Sequence, residues 1–304
     1  MTSALADSRG ITFEPPTYPT GSIDGQDGWA GSGGAAISPS YDQAVVTNPG
    51  VAGFETQSFR MSNAVTSDEF GHWPYSPSLA QAAGDSNAIN HGGGVVADPA
   101  NLQGRFQYSV DVASTTPLTV QSGLSMTLAP DRGDGARMSF LRFNDTAGGL
   151  TLTFQDYQDV SPYGTLGTPS DGCSAPDDFQ VTTVGPFDSA TKHTVSVTMD
   201  LYDGPHNDVV KVYVDDVLYH KGTSWEDYYR WCTESQTPAD PAGSSRPVDS
   251  ILFRQAGTPC ASCAGFGYLF DNLSYSSGPI PRALTIANNG SGSGAVTATT
   301  GERT

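Results

Sequence analysis

The sequence predicts an all-β protein: an antiparallel β-sandwich of jelly-roll type with one short helix and an extended C-terminal tail. Three observations lead there. A succession of runs alternates apolar and polar side chains, or concentrates β-branched and aromatic ones, which is the period-two signature of half-buried strands. Gly (35 residues) and Pro (21) punctuate a chain of 304, which suits many short strands joined by turns. Helical spacing is confined to one short segment, and the short repeats that a parallel β-helix requires are missing.

The first apolar run, residues 11–13, opens the stretch "ITFEPPTYPTGSIDGQDGW" (11–29). Glu14 follows directly, and Pro15 and Pro16 then remove two backbone donors, so pairing stops there or lies on an edge. Strands are read in "RFQYSVDVA" (105–113), "LSMTLAP" (124–130), "RMSFLRFN" (137–144) and "GLTLTFQDY" (149–157). Others are "DFQVTTV" (178–184), "HTVSVTMDLY" (193–202), "SILFRQA" (250–256) and "GYLFDNLSY" (267–275). The run "DVVKVYVDDVLYH" (208–220) reads as a tight hairpin with Asp215 and Asp216 at a two-residue turn. The helix lies in "SWEDYYRWCTE" (224–234), where Ser224 and Asp227 have capping-box spacing. Trp225 and Tyr229, four apart, form its buried face. Residues 60–104 make a long aperiodic loop, of the kind that is functional or packed on the core. The chain therefore divides into an N-terminal arm (1–10), the sandwich (11–277) and a Gly/Ser/Thr-rich tail (278–304) that buries little.

The formal net charge is −18, and Lys192, Lys211 and Lys221 are the only lysines. A nucleic-acid partner needs a basic stripe and an anionic membrane surface needs basic clusters, so both are argued against. Acidity favours solubility, divalent cations, and neutral or cationic partners; a salty habitat is the plainer explanation. No apolar run is long enough to span a membrane, and the N-terminus lacks the basic and apolar regions of a secretory signal. The expected setting is extracellular, either as a secreted protein whose signal has been removed or as a virion component released by lysis.

Four cysteines are present: Cys173, Cys232, Cys260 and Cys263. They lack the paired spacing of a strong zinc site, and "CASC" precedes a strand rather than opening a helix. Two disulfides are the preferred reading, with free thiols and a metal or redox role as alternatives. Cys173–Cys232 with Cys260–Cys263 is the simplest of three pairings. "DLYDGPHND" (200–208) gathers three acids and an Asn without EF-hand spacing and reads as a solvated turn. Sugar rings present apolar faces that stack on aromatics, so His72, Trp73 and Tyr75 in the long loop are the candidate ligand-binding residues.

Five segments carry a family resemblance: "TFE…GQDGW" (12–29), "FRMSNAVTSDEFG" (59–71), "VVKVYVDDVLYHKGTSWEDYYR" (209–230), "VDSILFRQAG" (248–257) and "GFGYLFDNLSY" (265–275). Over about residues 10–277 the chain resembles the concanavalin A-like and laminin-G-like jelly-roll proteins of bacteria and phages. The resemblance implies that first and last strands are neighbours, with Phe13 near Phe270. It also implies a structural calcium shared by an early acid and an Asp of the closing strand, here Glu14 and Asp271, with Asn272 a further ligand. Carbonyls and waters would complete the six to eight oxygens that calcium takes. The implied function is non-catalytic glycan recognition or assembly, as a secreted binding module or as a virion decoration or tail component. Partners are then a glycan or other virion subunits, or a second copy docked through the tail by strand addition. The rival is a secreted glycoside hydrolase or polysaccharide lyase. Against it, no two of the six glutamates share an alternating strand, and the E-x-D-x-x-E, Gln-x-His and G-x-S-x-G patterns are missing, so no catalytic residue is assigned.

Overall fold

The two ends of the described chain pair with each other. Residues 6–66, 72–86, 88, 102–158, 179–231 and 245–281 are described by the computed structural model. The strands are β1 (Asp7–Ile11), β2 (Gly21–Ser22), β3 (Gln43–Thr47), β4 (Gln57–Met61), β5 (Arg105–Ser114), β6 (Leu124–Asp131) and β7 (Leu141–Thr146). They continue as β8 (Gly149–Tyr157), β9 (Phe179–Phe187), β10 (His193–Asp200), β11 (Val209–Val214), β12 (Val217–Gly222), β13 (Ser250–Gly257) and β14 (Tyr268–Gly278), with one helix, α1 (Glu226–Trp231). All ladders are antiparallel. A nine-stranded sheet runs β12-β11-β10-β5-β14-β4-β3-β2, with β1 also on β14, and a five-stranded sheet runs β13-β6-β7-β8-β9. The two stack as the jelly-roll sandwich, of concanavalin-like type, that the sequence predicts.

Strand β14 holds the architecture together because it changes partner midway. On one side it follows β5 throughout. On the other, Tyr268–Phe270 pair with β4, whereas Leu273–Ser277 pair with β1, Ile11 lying opposite Leu273. The change falls on a bulge at Asp271 and Asn272, where Asn272 takes φ 48°. Asn is among the few non-glycine residues that enter this region readily. Pro15 and Pro16 explain the handover: β1 cannot extend past them, so β4 takes up the pairing. Gly267 is needed at the start of β14, since a Cβ there would sit 1.8 Å from the Met61 carbonyl oxygen.

Between the sheets lies an aromatic core. Phe13 and Phe59 stack with centroids 5.6 Å apart, Phe59 lies 6.4 Å from Phe270, and Phe253 lies 5.3 Å from Phe270. Head and foot are thus joined through Phe59 as well as by the ladder. All four rings are fully buried, each contributing about 1.5–3 kcal/mol by transfer from water.

Several expectations need adjusting. Strand β1 begins at Asp7, so residues 7–10 belong to the sandwich rather than to an arm. Residues 137–140 are not strand: β7 starts at Leu141, and the preceding segment turns outward to meet α1. Asp208 is not solvated. It is 6% exposed and accepts hydrogen bonds from the Tyr202 amide (2.9 Å) and the Ser224 hydroxyl (2.5 Å). The hairpin is as read, with Asp215 and Asp216 both at positive φ (49° and 64°), the geometry of a type I′ turn. Ser224 caps α1 by accepting the Glu226 amide, two residues on, rather than that of Asp227. From residue 282 the tail lies outside the described residues, as do Cys173 and Cys232 and hence their expected pairing.

Candidate functional site

Alternation fixes what the five-stranded sheet shows to the outside. Leu124, Met126, Leu128, Leu141, Phe143, Leu152, Phe154, Ile251 and Phe253 fill the core. Their neighbours along each strand therefore point away from it. Register then lines up one outward row across all five strands. Arg254 lies opposite Thr127, Thr127 opposite Arg142, Arg142 opposite Thr153, and Thr153 opposite Thr183. Adjacent strands lie about 4.8 Å apart, so Arg254 and Arg142, two strands apart, present cations at roughly 10 Å spacing. Beside this row Ser125 donates to Asn144 Oδ1 (3.1 Å), and Asn144 Nδ2 donates to Thr153 Oγ1 (3.4 Å).

One end of the face is built by the 137–140 segment and α1. The Trp225 amide donates to the Met138 carbonyl (2.8 Å), its indole N–H to the Gln155 carbonyl (2.8 Å), and the Tyr229 hydroxyl to the Arg137 carbonyl (3.2 Å). Trp225 stacks on Phe140, with centroids 5.8 Å apart and planes at 13°. Two guanidinium groups stand over this pair. Arg137 Cζ is 5.4 Å from the Trp225 ring and 5.8 Å from Phe140, and Arg142 Cζ is 4.9 Å from Phe140. Arg254 lies 4.4 Å over Trp73 and Arg246 4.9 Å over Tyr229, so every described cation–π contact falls on this side of the molecule. Each is worth about 0.5–2 kcal/mol.

Arg137 and Arg142 have no carboxylate within ion-pair distance among the described residues. Arg137 donates one long bond, to the Gly135 carbonyl (3.5 Å), and the Nε of each is buried without an acceptor. Burial first, and the neighbouring Arg137 charge second, hold the Arg142 guanidinium below its ordinary pKa. Carboxylates are absent from the outward positions of β7 and β8 in this row and its neighbour, which are Arg142, Asn144, Thr151 and Thr153.

The loop residues singled out as ligand contacts are packed rather than presented. Trp73 (2% exposed) and Tyr75 (3%) cluster with Ala129 and Leu252 on the outer side of β6 and β13. Tyr75 forms backbone bridges to Ala30 and Leu252, and His72 Nδ1 lies 2.7 Å from the Tyr41 hydroxyl. What Trp73 does present is a ring beneath Arg254.

Glu14 and Asp271 do come together, at the partner switch of β14. Glu14 accepts from the Thr56 hydroxyl and from the Gln57 amide (2.7 Å). Asp271, wholly buried, accepts from the Asn272 amide (2.8 Å) and the Glu55 amide (3.4 Å). Burial, relieved in part by these amides and opposed by the Glu14 and Asp111 charges, pushes Asp271 up to about 6. Asn272 Nδ2 donates to Asp111 (3.0 Å) rather than turning its oxygen toward the pair. Among the described residues, no three acid, His or Cys side chains converge in a metal-binding arrangement. The Cys260–Cys263 disulfide is formed.

A second acidic cluster, unforeseen from the sequence, lies beneath α1. Glu226 is 1% exposed with neither carboxylate oxygen hydrogen-bonded, and Arg230 Nη2 stands 3.7 Å away. Burial, then the charges of Asp208 and Asp227, raise Glu226 to about 10, so it is a neutral acid at pH 7.

No protein-family model matches the sequence, and no curated protein does. Solved structures resemble the fold. Alginate lyase A1-II′, a member of polysaccharide lyase family 7, is 11% identical, covers 83% of this chain and 95% of its own, and gives a TM-score of 0.42. The β-glucanase of Bacillus licheniformis is 15% identical over 89% of this chain and 97% of its own, with TM-score 0.39. The Emp46p carbohydrate recognition domain, in its potassium-bound form, is 13% identical over 84% and 90%, with TM-score 0.34. At these values the likeness is one of sandwich architecture, and no ligand or residue role is transferred from it.

Proposed function

We propose that the chain recognises a glycan along the outer face of the five-stranded sheet, without cleaving it. The observation that carries this reading is the transverse row Arg254–Thr127–Arg142–Thr153–Thr183, continued by Asn144 and bounded by the Phe140–Trp225 stack. Guanidinium forks, hydroxyls and amides are the groups that read ring hydroxyls, and a row crossing the strands suits a linear chain lying across the sheet. The missing carboxylates argue against paired-acid hydrolysis on this face.

In this reading the protein works outside the cell, free or on a particle surface. The Cys260–Cys263 disulfide supports an oxidising setting. Calcium at Glu14 and Asp271 belongs to it as a structural ion. What supports it is the mutual repulsion of two carboxylates with spare lone pairs at the β14 bulge. Asn272, turned to Asp111, is the weakest of the three expected ligands. The virion-subunit and tail-mediated versions rest on residues 282–304, which lie outside the described residues.

A second reading, a polysaccharide lyase, is favoured by one observation. Tyr228 is partly exposed and lies 5.7 Å from Trp225, at the edge of the arginine cluster, where a phenol beside cations could move a proton. A glycan array tests recognition, and incubation of each bound polymer followed by assay for new reducing or unsaturated ends separates the readings. Binding without new ends is expected. New ends on a bound polymer would replace recognition by catalysis, and no bound glycan would remove both.

A further inference from the structure

The arginines of this face pose a question that recognition of a neutral sugar does not answer. A chain with 32 acidic side chains and 14 Lys and Arg has ample carboxylate to neutralise every cation. On the nine-stranded sheet it does so: Arg9 pairs with Asp27 (2.7 Å), Arg105 with Asp200 (2.6 Å), Lys192 with Asp111 (2.6 Å), and Arg60 with Asp42. Arg137 and Arg142 are left without such a partner, although they stand over the same ring at 5.8 and 4.9 Å. Two like charges that close disfavour each other, and ring faces compensate only in part. Each also carries a buried Nε–H with no acceptor, a donor whose desolvation is uncompensated.

Resting on the reading of this face as a glycan site, we infer that its ligand is an acidic glycan, whose carboxylate or sulfate groups are taken up by Arg137 and Arg142. A planar oxyanion accepts from the guanidinium edge in two parallel bonds, Nε–H and Nη–H. Such a pair satisfies the orphaned Nε donors and cancels the repulsion in one step. A neutral sugar hydroxyl supplies one acceptor and no charge. Asn144 and Thr153 then read the hydroxyls next to the acidic group. The net charge of −18 opposes a polyanion only at long range. At physiological ionic strength that field is screened beyond about 8 Å, while direct contact pairs are screened much less.

The test is calorimetric titration of the intact protein with four polymers: a polyuronate, the same polymer after carboxyl reduction, dextran sulfate, and dextran. Binding to the polyuronate or to dextran sulfate, at least tenfold tighter than to its neutral counterpart, is expected, and which of the two binds identifies the anion. Arg142→Gln and Arg137→Gln should each weaken that binding tenfold or more, with Arg142→Lys restoring it only in part. Their melting temperatures without ligand should be unchanged or higher, because each removes an uncompensated charge, and this separates lost recognition from lost folding. Equal binding of charged and neutral polymers overturns the inference and leaves glycan recognition standing. Binding to none of these and to no array glycan overturns both.

Discussion

The outer faces of the two sheets are made by the same rule and end up chemically opposed. The nine-stranded face bears a shallow groove of about 520 Å³ lined by small polar residues, among them Ser8, Gln107, Ser109, Ser196, Ser274 and Ser276. Its groups satisfy one another: Ser196 and Ser109 share a hydrogen bond of 2.8 Å, and Arg9 at the rim is paired with Asp27. The five-stranded face leaves two cations and two N–H donors without protein partners. A groove is a place where something fits. An unsatisfied donor is a place where something is missing, and that difference selects the five-stranded face although the other is the more hollow.

The two faces share one core, so the largest effect should be common to both. Phe270→Ala, between the sheets at the partner switch, is expected to cost about 3–5 kcal/mol in denaturant unfolding, and to affect both faces together. A loss as small as that of a surface substitution would mean that the sheets do not share this core. Next come the charges. On the paired face Asp111 accepts from Lys192 (2.6 Å), Thr194 (2.5 Å) and Asn272 (3.0 Å), so Asp111→Asn should cost about 1–3 kcal/mol by orphaning them. Arg142→Gln on the unpaired face should change stability by less than about 0.5 kcal/mol or raise it. Equal losses at the two positions would erase the contrast.

Glu226 sharpens the comparison from beneath the face. Its folded pKa, about 10, lies above its ordinary value, so the folded chain keeps a proton that the unfolded chain releases. That contribution is fully present below the ordinary carboxylate range and is lost as pH rises towards 10. Glu226→Gln should therefore flatten the fall of stability between about pH 6 and pH 9, and an unchanged slope would contradict the neutral acid. The smallest effect concerns the proposed ion. Chelation at neutral pH should lower the melting temperature by a few degrees, and Asp271→Asn should abolish that response; a melt indifferent to chelator would remove calcium from the account.

Much of the sandwich was legible because its signals are local. Period-two runs gave most of the strands, and the Asp215–Asp216 dipeptide gave the hairpin. The acid-proline stretch after Phe13 marked where one strand hands over to another. Strands β3 and β4 escaped because "QAVVT" and "QSFRM" are five residues long and sit among Gly and Ser, too short to show a period. Residues 137–140 continue the apolar pattern of β7, so they read as strand. Only the docking of α1, which no local spacing reports, turns them outward. Trp73 and Tyr75 looked available because a Pro-flanked aromatic in a long loop has no visible partner; the partners are Ala129 and Leu252, distant in sequence.

The site itself was not legible, since its row is a property of register. Arg254, Thr127, Arg142, Thr153 and Thr183 come from five strands, and nothing in the linear order aligns them. One signal was present. In "FLRFN" and "LFRQA" an arginine interrupts inward apolar residues at an outward position, in a chain that has only three lysines. Cations placed at strand centres rather than in loops were the clue.

The most direct test reads the two sets of guanidinium groups at once, through the 15N–1H signals of arginine Nε–H, assigned with single Arg→Gln variants and followed as a bound acidic glycan is added. The Arg137 and Arg142 signals are predicted to shift as their orphaned donors gain acceptors, while Arg9 and Arg105, already paired, stay in place. Shifts confined to Arg9 and Arg105, or none at Arg137 and Arg142 with the glycan bound, would put the ligand elsewhere and contradict the account.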